Sequence, residues 1–298
     1  MQEKQKKQNS KLFSLIYVLA IMGVLVGIGI VIYPYFVDRY YEYKNEQAVS
    51  GITSIYDKYD ENSPEIKELQ HQAEIYNNAL AGKYDGTEEI WDYEDQLVLE
   101  DSDVMAYLEI PSLDIKMSVY HGSSSEVLAA GVGHLADTSL PVGGASTHCV
   151  LTAHSGMRNM KAFDNLRFME VGDLFAITTL GKQYVYEVYK IETVLPDETE
   201  SLSIVEGEDL VTLVTCTPYG INDHRLLVHA KRTDRTLDSV SDENSGTDIT
   251  ENDQNSITDL LFENMRLIPV VAVGLGIVIT VIIVIIKSVR KKKKEGRK

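Results

Sequence analysis

The sequence predicts a mainly β domain with short helices, preceded by a helical region and flanked by two transmembrane helices. Three observations carry that expectation. Six short β-forming runs lie between Val104 and Arg232, two uncharged stretches bracket an acidic middle, and both ends of the chain are basic. The 298 residues hold 28 Lys and Arg against 45 Asp and Glu, a formal charge of −17. Phosphate contacts need basic surface, so no nucleic-acid partner is expected. Two cysteines, Cys149 and Cys216, are too few for a disulfide framework and form no C-x-x-C pair.

Residues 1–11 carry Lys4, Lys6, Lys7 and Lys11 against Glu3, a net +3. Residues 12–37 then carry no charge, enough to cross a hydrocarbon core of roughly 30 Å as a helix. A cleavable signal peptide is the competing reading, but its apolar run is usually only about 7–15 residues. This run ends Tyr33-Pro34-Tyr35-Phe36 with no small-x-small cleavage site.

Residues 38–103 are charged and Tyr-rich and read as a helical, lid-like region. Ser63-Pro64 is a helix start, and Ile66, Leu69, Ala73, Tyr76 and Leu80 follow at i+3 and i+4 spacing. Ala81-Gly82 ends that helix, and an acidic stretch to Asp103 holds the single tryptophan, Trp91.

Residues 104–232 form the β domain. Met105–Ile110, Val150–Ala153, Leu174–Leu180, Tyr184–Val194, Val211–Thr215 and Leu226–Ala230 are separated by Gly, Pro, Ser or Asp clusters, with Gly181-Lys182 as a hairpin turn. Phe163–Leu166 reads as a short helical turn. Several short strands in such a span imply a closed or sandwich-like all-β arrangement.

Residues 233–264 hold nine acids and one base, Arg235, and read as a solvated spacer. Within the expected span 265–286, residues 267–286 are uncharged; residues 287–298 carry eight bases against Glu295, a net +7. Taking +3 and +7 from −17 leaves −27 between the ends. Basic flanks stay cytoplasmic, so both termini are expected inside a cell membrane and the β domain outside it.

Nucleophilic catalysis by cysteine needs a thiolate, an acid/base and a group that stabilises the oxyanion. Cys216 ends the run Leu210–Thr215 just before Thr217-Pro218-Tyr219-Gly220, a position both held and exposed. Arg225 opens the next strand, so antiparallel pairing would return it beside Cys216. Among seven histidines, His154 follows the run ending at Ala153 and precedes Ser155-Gly156, again a strand end facing a loop. Cys149 lies within a strand and reads as a small buried thiol, although a Cys149–Cys216 disulfide is also compatible with an oxidising surface. A non-catalytic surface scaffold, in which these residues merely pack, is the alternative of a different class.

Three blocks then resemble a known family. Leu151-Thr152-Ala153-His154-Ser155-Gly156, Thr212-Leu213-Val214-Thr215-Cys216-Thr217-Pro218 and Arg225-Leu226-Leu227-Val228 resemble the signature motifs of sortases. TLVTCTPYGINDHRLLVHAKR is similar to class C, the pilin-polymerising sortases of Gram-positive cells. The resemblance implies a sortase-type β-barrel with Cys216 as nucleophile, His154 as general acid/base and Arg225 as oxyanion and substrate stabiliser. It implies cleavage of an LPxTG-like signal between Thr and Gly through a thioester, resolved by a pilin lysine. Pilins or surface proteins with C-terminal sorting signals would be the partners. The enzymatic alternative anchors proteins to peptidoglycan, with a cell-wall precursor supplying the amine.

Class C sortases resemble one another in an Asp-Pro-aromatic lid, and here none of the seven prolines follows an aspartate. Trp91 and Asp92 are the substitute candidates, the ring to cover Cys216 and the carboxylate to pair with Arg225. No nucleotide, metal or organic cofactor is indicated, for there is no phosphate-binding glycine loop and no His/Cys cluster at ligand spacing.

Overall fold

The β-forming runs between Val104 and Arg232 pair edge to edge until the last strand meets the first. The computed structural model of the chain describes residues 2–100, 102–155, 162–218 and 220–237. Its strands are β1 (Val104–Ile110), β2 (Ile115–His121), β3 (Val132–His134), β4 (Thr147–Thr152), β5 (Leu174–Thr179), β6 (Lys182–Val194), β7 (Asp209–Thr217) and β8 (His224–Arg232). They close in the order β1-β2-β3-β4-β7-β8-β6-β5, and β5 pairs back onto β1. The β2–β3 and β4–β7 pairs are parallel and the other pairs antiparallel. Of the closed and sandwich-like alternatives, the chain takes the closed one.

Alternation fills the barrel. Leu108, Ile110, Leu151, Phe175, Ile177, Leu213 and Val228 are fully buried in one interior cluster, each burial stabilising by about 1.5–3 kcal/mol. The expected hairpin turn is displaced by one residue. Thr179 pairs with Lys182, so Leu180 and Gly181 form the turn, at φ +50° and +79°. Two positive φ values match the twist of a tight hairpin, and glycine takes the second without strain.

Among the described residues, the α-helices are α1 (Gln2–Tyr56), α2 (Pro64–Leu80) and α3 (Ser125–Ala130). The helix expected after Ser63 is α2, with the Ser63 hydroxyl accepting from the Ile66 N–H at 3.4 Å and Pro64 in the first turn. Its apolar stripe buries Ile66, Leu69 and Ala73 against the barrel cluster. Asn77, buried on α2, donates to the Leu140 carbonyl at 3.2 Å and accepts from the Leu140 N–H at 2.7 Å. The expected turn at Phe163–Leu166 is closed by the Leu166 N–H donating to the Phe163 carbonyl at 3.1 Å, and a single 3₁₀ turn, Leu166–Phe168, continues it.

Residues up to Val37 and the body beginning at Asp38 are separate units, although α1 runs through both. Within the body, α1 buries Ile52 and Tyr56 in the barrel cluster. Asn45 donates to the Lys116 carbonyl at 2.7 Å and accepts from the Ser118 N–H at 3.0 Å. A side-chain amide thus stands in for a missing ladder partner of β2.

The expected membrane helices are not borne out by the fold. Among the described residues no helix is long and apolar enough to cross a membrane. Residues 12–37 are part of a helix that continues through the charged residues after Val37. Residues 265–286, the basic tail and all but the first residues of the acidic spacer lie outside the described residues. From Ile16 to Phe36, α1 carries many exposed large apolar side chains.

Candidate active site

Parallel pairing of β4 with β7, and antiparallel pairing of β7 with β8, sets three strand ends side by side. Thr152 on β4 is level with Val214 on β7, and Cys216 is level with Arg225 on β8. Beyond Thr152 the chain keeps to β7. The Ala153 N–H donates to the Val214 carbonyl at 3.2 Å, and the Thr215 hydroxyl donates to the Ala153 carbonyl at 2.8 Å. The Ser155 hydroxyl donates to the Cys216 carbonyl. His154 is therefore held between bonds that tie its two neighbours to β7.

Alternation fixes the faces. Val211 and Leu213 enter the interior cluster, so Thr212, Val214 and Cys216 point outward. On β8, Val228 and Ala230 point inward, which leaves Arg225 on the outer face with Cys216. Directly opposed residues have Cβ atoms about 4.5–5.5 Å apart, so the Cys216 and Arg225 side chains leave the sheet together. Cys216 is partly exposed and carries a free thiol. The Arg225 guanidinium donates to the carbonyls of His224 at 3.0 Å and Asn222 at 3.3 Å.

Cys149 is also a free thiol, so the two cysteines are not joined. It faces the interior cluster, and burial pushes its thiol pKa far up. A thiol so held is neutral and a poor nucleophile.

The two lid candidates have contacts of their own on the barrel. Trp91 packs, partly buried, on the barrel's interior cluster, and its carbonyl accepts from the Gln96 side chain at 3.0 Å. Asp92 precedes a single 3₁₀ turn, Tyr93–Asp95, and no ion pair joins it to Arg225 among the described residues. Glu89, Ile90, Trp91, Asp92 and Asp95 line an open cleft of about 470 Å³.

The anchor of this segment is Tyr93, which the sequence did not single out. Its ring stacks on His134 with centroids 5.6 Å apart. Its hydroxyl bonds His134 Nδ1 at 2.8 Å and accepts from the Gly122 N–H at 2.9 Å. His134 is completely buried and its Nε2 bonds the Ser139 carbonyl at 2.9 Å, so Nε2 carries the proton and Nδ1 accepts from Tyr93. Burial lowers the His134 pKa to about 4. The sequence signal was the string Trp-Asp-Tyr, of which the first two residues drew attention and the third makes the bonds.

A closed eight-stranded barrel with short helices is the architecture of a sortase domain. The profile of the Sortase domain family matches residues 108–233. Sortase C from Clostridium perfringens, solved with the C-terminal cell wall sorting motif, is 41% identical with a TM-score of 0.55, over 62% of this chain and 97% of that one. Sortase C1 of GBS Pilus Island 1 is 37% identical with a TM-score of 0.59, over 70% and 97%. Among curated proteins, Sortase A of Streptococcus agalactiae serotype III (strain NEM316) is 26% identical over 43% of this chain; the chain spans about half, 52%, of that relative's length. The chain belongs to the sortase family, the cysteine transpeptidases, and its structural relatives are of class C.

Proposed function

We propose that this chain polymerises pilins. Cys216 attacks the carbonyl carbon between Thr and Gly of an LPxTG-like sorting signal, the C–N bond breaks, and a thioester forms. His154 protonates the departing glycine amine, and Arg225 donates hydrogen bonds to the oxyanion. A lysine ε-amine of the next pilin then attacks the thioester. The C–S bond breaks, an isopeptide bond forms, and His154 takes the proton the amine sheds.

The observation that carries this reading is the register pairing of Cys216 with Arg225, beside the β4 extension that bears His154. Partial exposure supports it, for a sorting signal must reach the sulfur. Polymerisation rather than anchoring to peptidoglycan is supported by the class C relatives, one of them from a pilus island. The reading includes membrane attachment: 12–37 and 265–286 as spans, both termini cytoplasmic, residues 38–103 and the barrel of 104–232 outside, and 233–264 as spacer. Its support is the uncharged runs, their basic flanks and the exposed apolar side chains of α1 from Ile16 to Phe36.

The test is the full-length chain incubated with a co-encoded pilin. Covalent ladders should form and be absent with Cys216→Ala. Transfer to a cell-wall amine without ladders would establish the anchoring reading instead. A wild-type chain that forms no thioester with any sorting-signal peptide would leave only the scaffold.

A further inference from the structure

On the same outer face of the sheet as Cys216 and Arg225 lies a buried chain of hydrogen bonds. His148 on β4, Thr212 on β7 and His229 on β8 are 1%, 0% and 2% exposed. They belong to β4, whose extension bears His154, and to the strands that bear Cys216 and Arg225. Thr212 precedes Cys216 by four residues, a separation of about 13 Å along a strand. The chain has four contacts: Ser203 carbonyl to His148 Nδ1, 2.9 Å; His148 Nε2 to Thr212 Oγ1, 2.7 Å; Thr212 Oγ1 to His229 Nδ1, 2.8 Å; and His229 Nε2 to Glu192 Oε1, 3.0 Å. One end is anchored on the connection from β6 to β7, residues 195–208, and the other on β6.

Each contact needs one hydrogen between its two heavy atoms, so the chain needs four. Its neutral members supply three: one ring N–H from each imidazole and one hydroxyl hydrogen from Thr212. The outer groups, a carbonyl and a carboxylate, can only accept. Glu192 is ionised, since Lys190 at 2.7 Å, and then His229 and the Ser201 hydroxyl, hold its carboxyl below the usual range. Without a fourth hydrogen, two lone pairs face each other at hydrogen-bond distance inside the protein.

We propose that His148, Thr212, His229 and Glu192 form an internal proton-binding clasp, holding one proton beyond the neutral count and fastening the 195–208 connection to the barrel. The extra proton sits on the His229 imidazole, where the Glu192 carboxylate balances it. His229 then donates to Glu192 and to Thr212, Thr212 donates to His148, and His148 donates to the Ser203 carbonyl. All four contacts are satisfied, and the group as a whole is uncharged.

The surroundings define how the clasp titrates. Lys190 and Glu192 face it from β6, and the Tyr189 ring lies 6.1 Å from that of His229. The Lys231–Glu208 pair, at 3.2 Å, joins β8 to the start of β7 beside Tyr189. Burial is the leading influence and holds both imidazoles below the usual histidine value, His229 despite the Glu192 carboxylate and with Lys190 lowering it further; a charged His229 lowers His148 further, so the charged ring rests on the hydrogen count of the chain. The completed chain tips His229 to the charged form and leaves His148 neutral. A second proton would put two imidazolium rings on one hydroxyl, so the pair titrates as a unit. When the proton leaves at higher pH, three hydrogens remain for four contacts, and one of the four must break.

The clasp is independent of the roles assigned to Cys216, His154 and Arg225, and its test reads protons rather than turnover. Imidazole ¹⁵N shifts of the full-length chain, labelled at histidine, should show one doubly protonated and one singly protonated ring for His229 and His148 at neutral pH. Thr212→Val should return both rings to the neutral form, while Thr212→Ser keeps the wild-type pattern. Two neutral rings in the wild-type chain at neutral pH would overturn the clasp, and that measurement needs no variant. So would a wild-type protonation pattern in Thr212→Val.

Discussion

Cys216 on β7 and Arg225 on β8 are cross-strand partners at the open end of an antiparallel ladder, with one further pair, Thr217 and His224, before the turn. The pairing puts a thiol and a guanidinium on one face without either residue resting on a loop. Two rigid strands fix their separation. The Arg225 guanidinium itself is turned to the carbonyls of Asn222 and His224.

The two thiols should therefore separate chemically. Alkylation of the folded chain is expected to modify Cys216 alone, because Cys149 is buried and its thiol held neutral. Intact-mass measurement with a sorting-signal peptide should show an acyl adduct that Cys149→Ala retains and Cys216→Ala loses. An adduct persisting in Cys216→Ala would remove Cys216 from the chemistry.

Arg225→Lys keeps the charge and gives up the planar fork. If the guanidinium serves the oxyanion, acylation should slow about 10²–10³-fold in this variant, with circular dichroism unchanged. Stopped-flow acylation is the measurement, and a rate within threefold of wild type would exclude the role.

The Tyr93–His134 contact predicts a stability slope. The His134 pKa falls from 6.5 to about 4 in the fold, so the unfolded chain binds a proton in that window and the native chain does not. Stability is fully present above pH 6.5 and is lost as pH falls towards 4, by about 3 kcal/mol from this group. Tyr93→Phe strands the Gly122 N–H and His134 Nδ1 and should cost about 1–3 kcal/mol. Denaturant titrations across that pH range check both.

Asn77→Ala should destabilise by about 1–3 kcal/mol, since it leaves the buried Leu140 N–H without a partner and the Leu140 carbonyl with only the Val142 N–H. The acyl adduct formed in native buffer should be unchanged. A shift in the urea midpoint without change of slope is the expected signature.

Trp91→Ala distinguishes packing from plugging. Because the ring packs on the barrel cluster, the substitution should lower the melting temperature and leave the acylation rate of a short peptide within about twofold. A severalfold faster acylation would restore the plug.

Much of this was legible because it is local. Six strands announced themselves by β-branched and aromatic residues between turn residues, and Ser63-Pro64 marked the start of α2. The return of Arg225 beside Cys216 followed from the short span between them. β2 and β3 escaped for identifiable reasons. Met117, Ser118 and Val119 are all buried, so β2 lacks a two-residue alternation. β3 is only Val132–His134, and Gly133 sits where a Cβ would lie 2.4 Å from the Gly122 carbonyl oxygen. The contacts of Tyr93 with His134 and of Thr212 with two histidines join residues far apart in sequence, so no periodicity registers them. The continuation of α1 past Val37 was hidden by the change from apolar to charged residues, since a helix needs no change of backbone to change its surroundings.

The strand order ends where it starts, with β5 paired to β1. An open sheet would offer a bare row of backbone donors and acceptors to any stretched polypeptide drifting past. A protein proposed to work among elongated pilin tails would meet such strands constantly, and a free edge would capture them without discrimination. Closure removes that bait, leaving side chains to decide which tail is gripped and when it is let go.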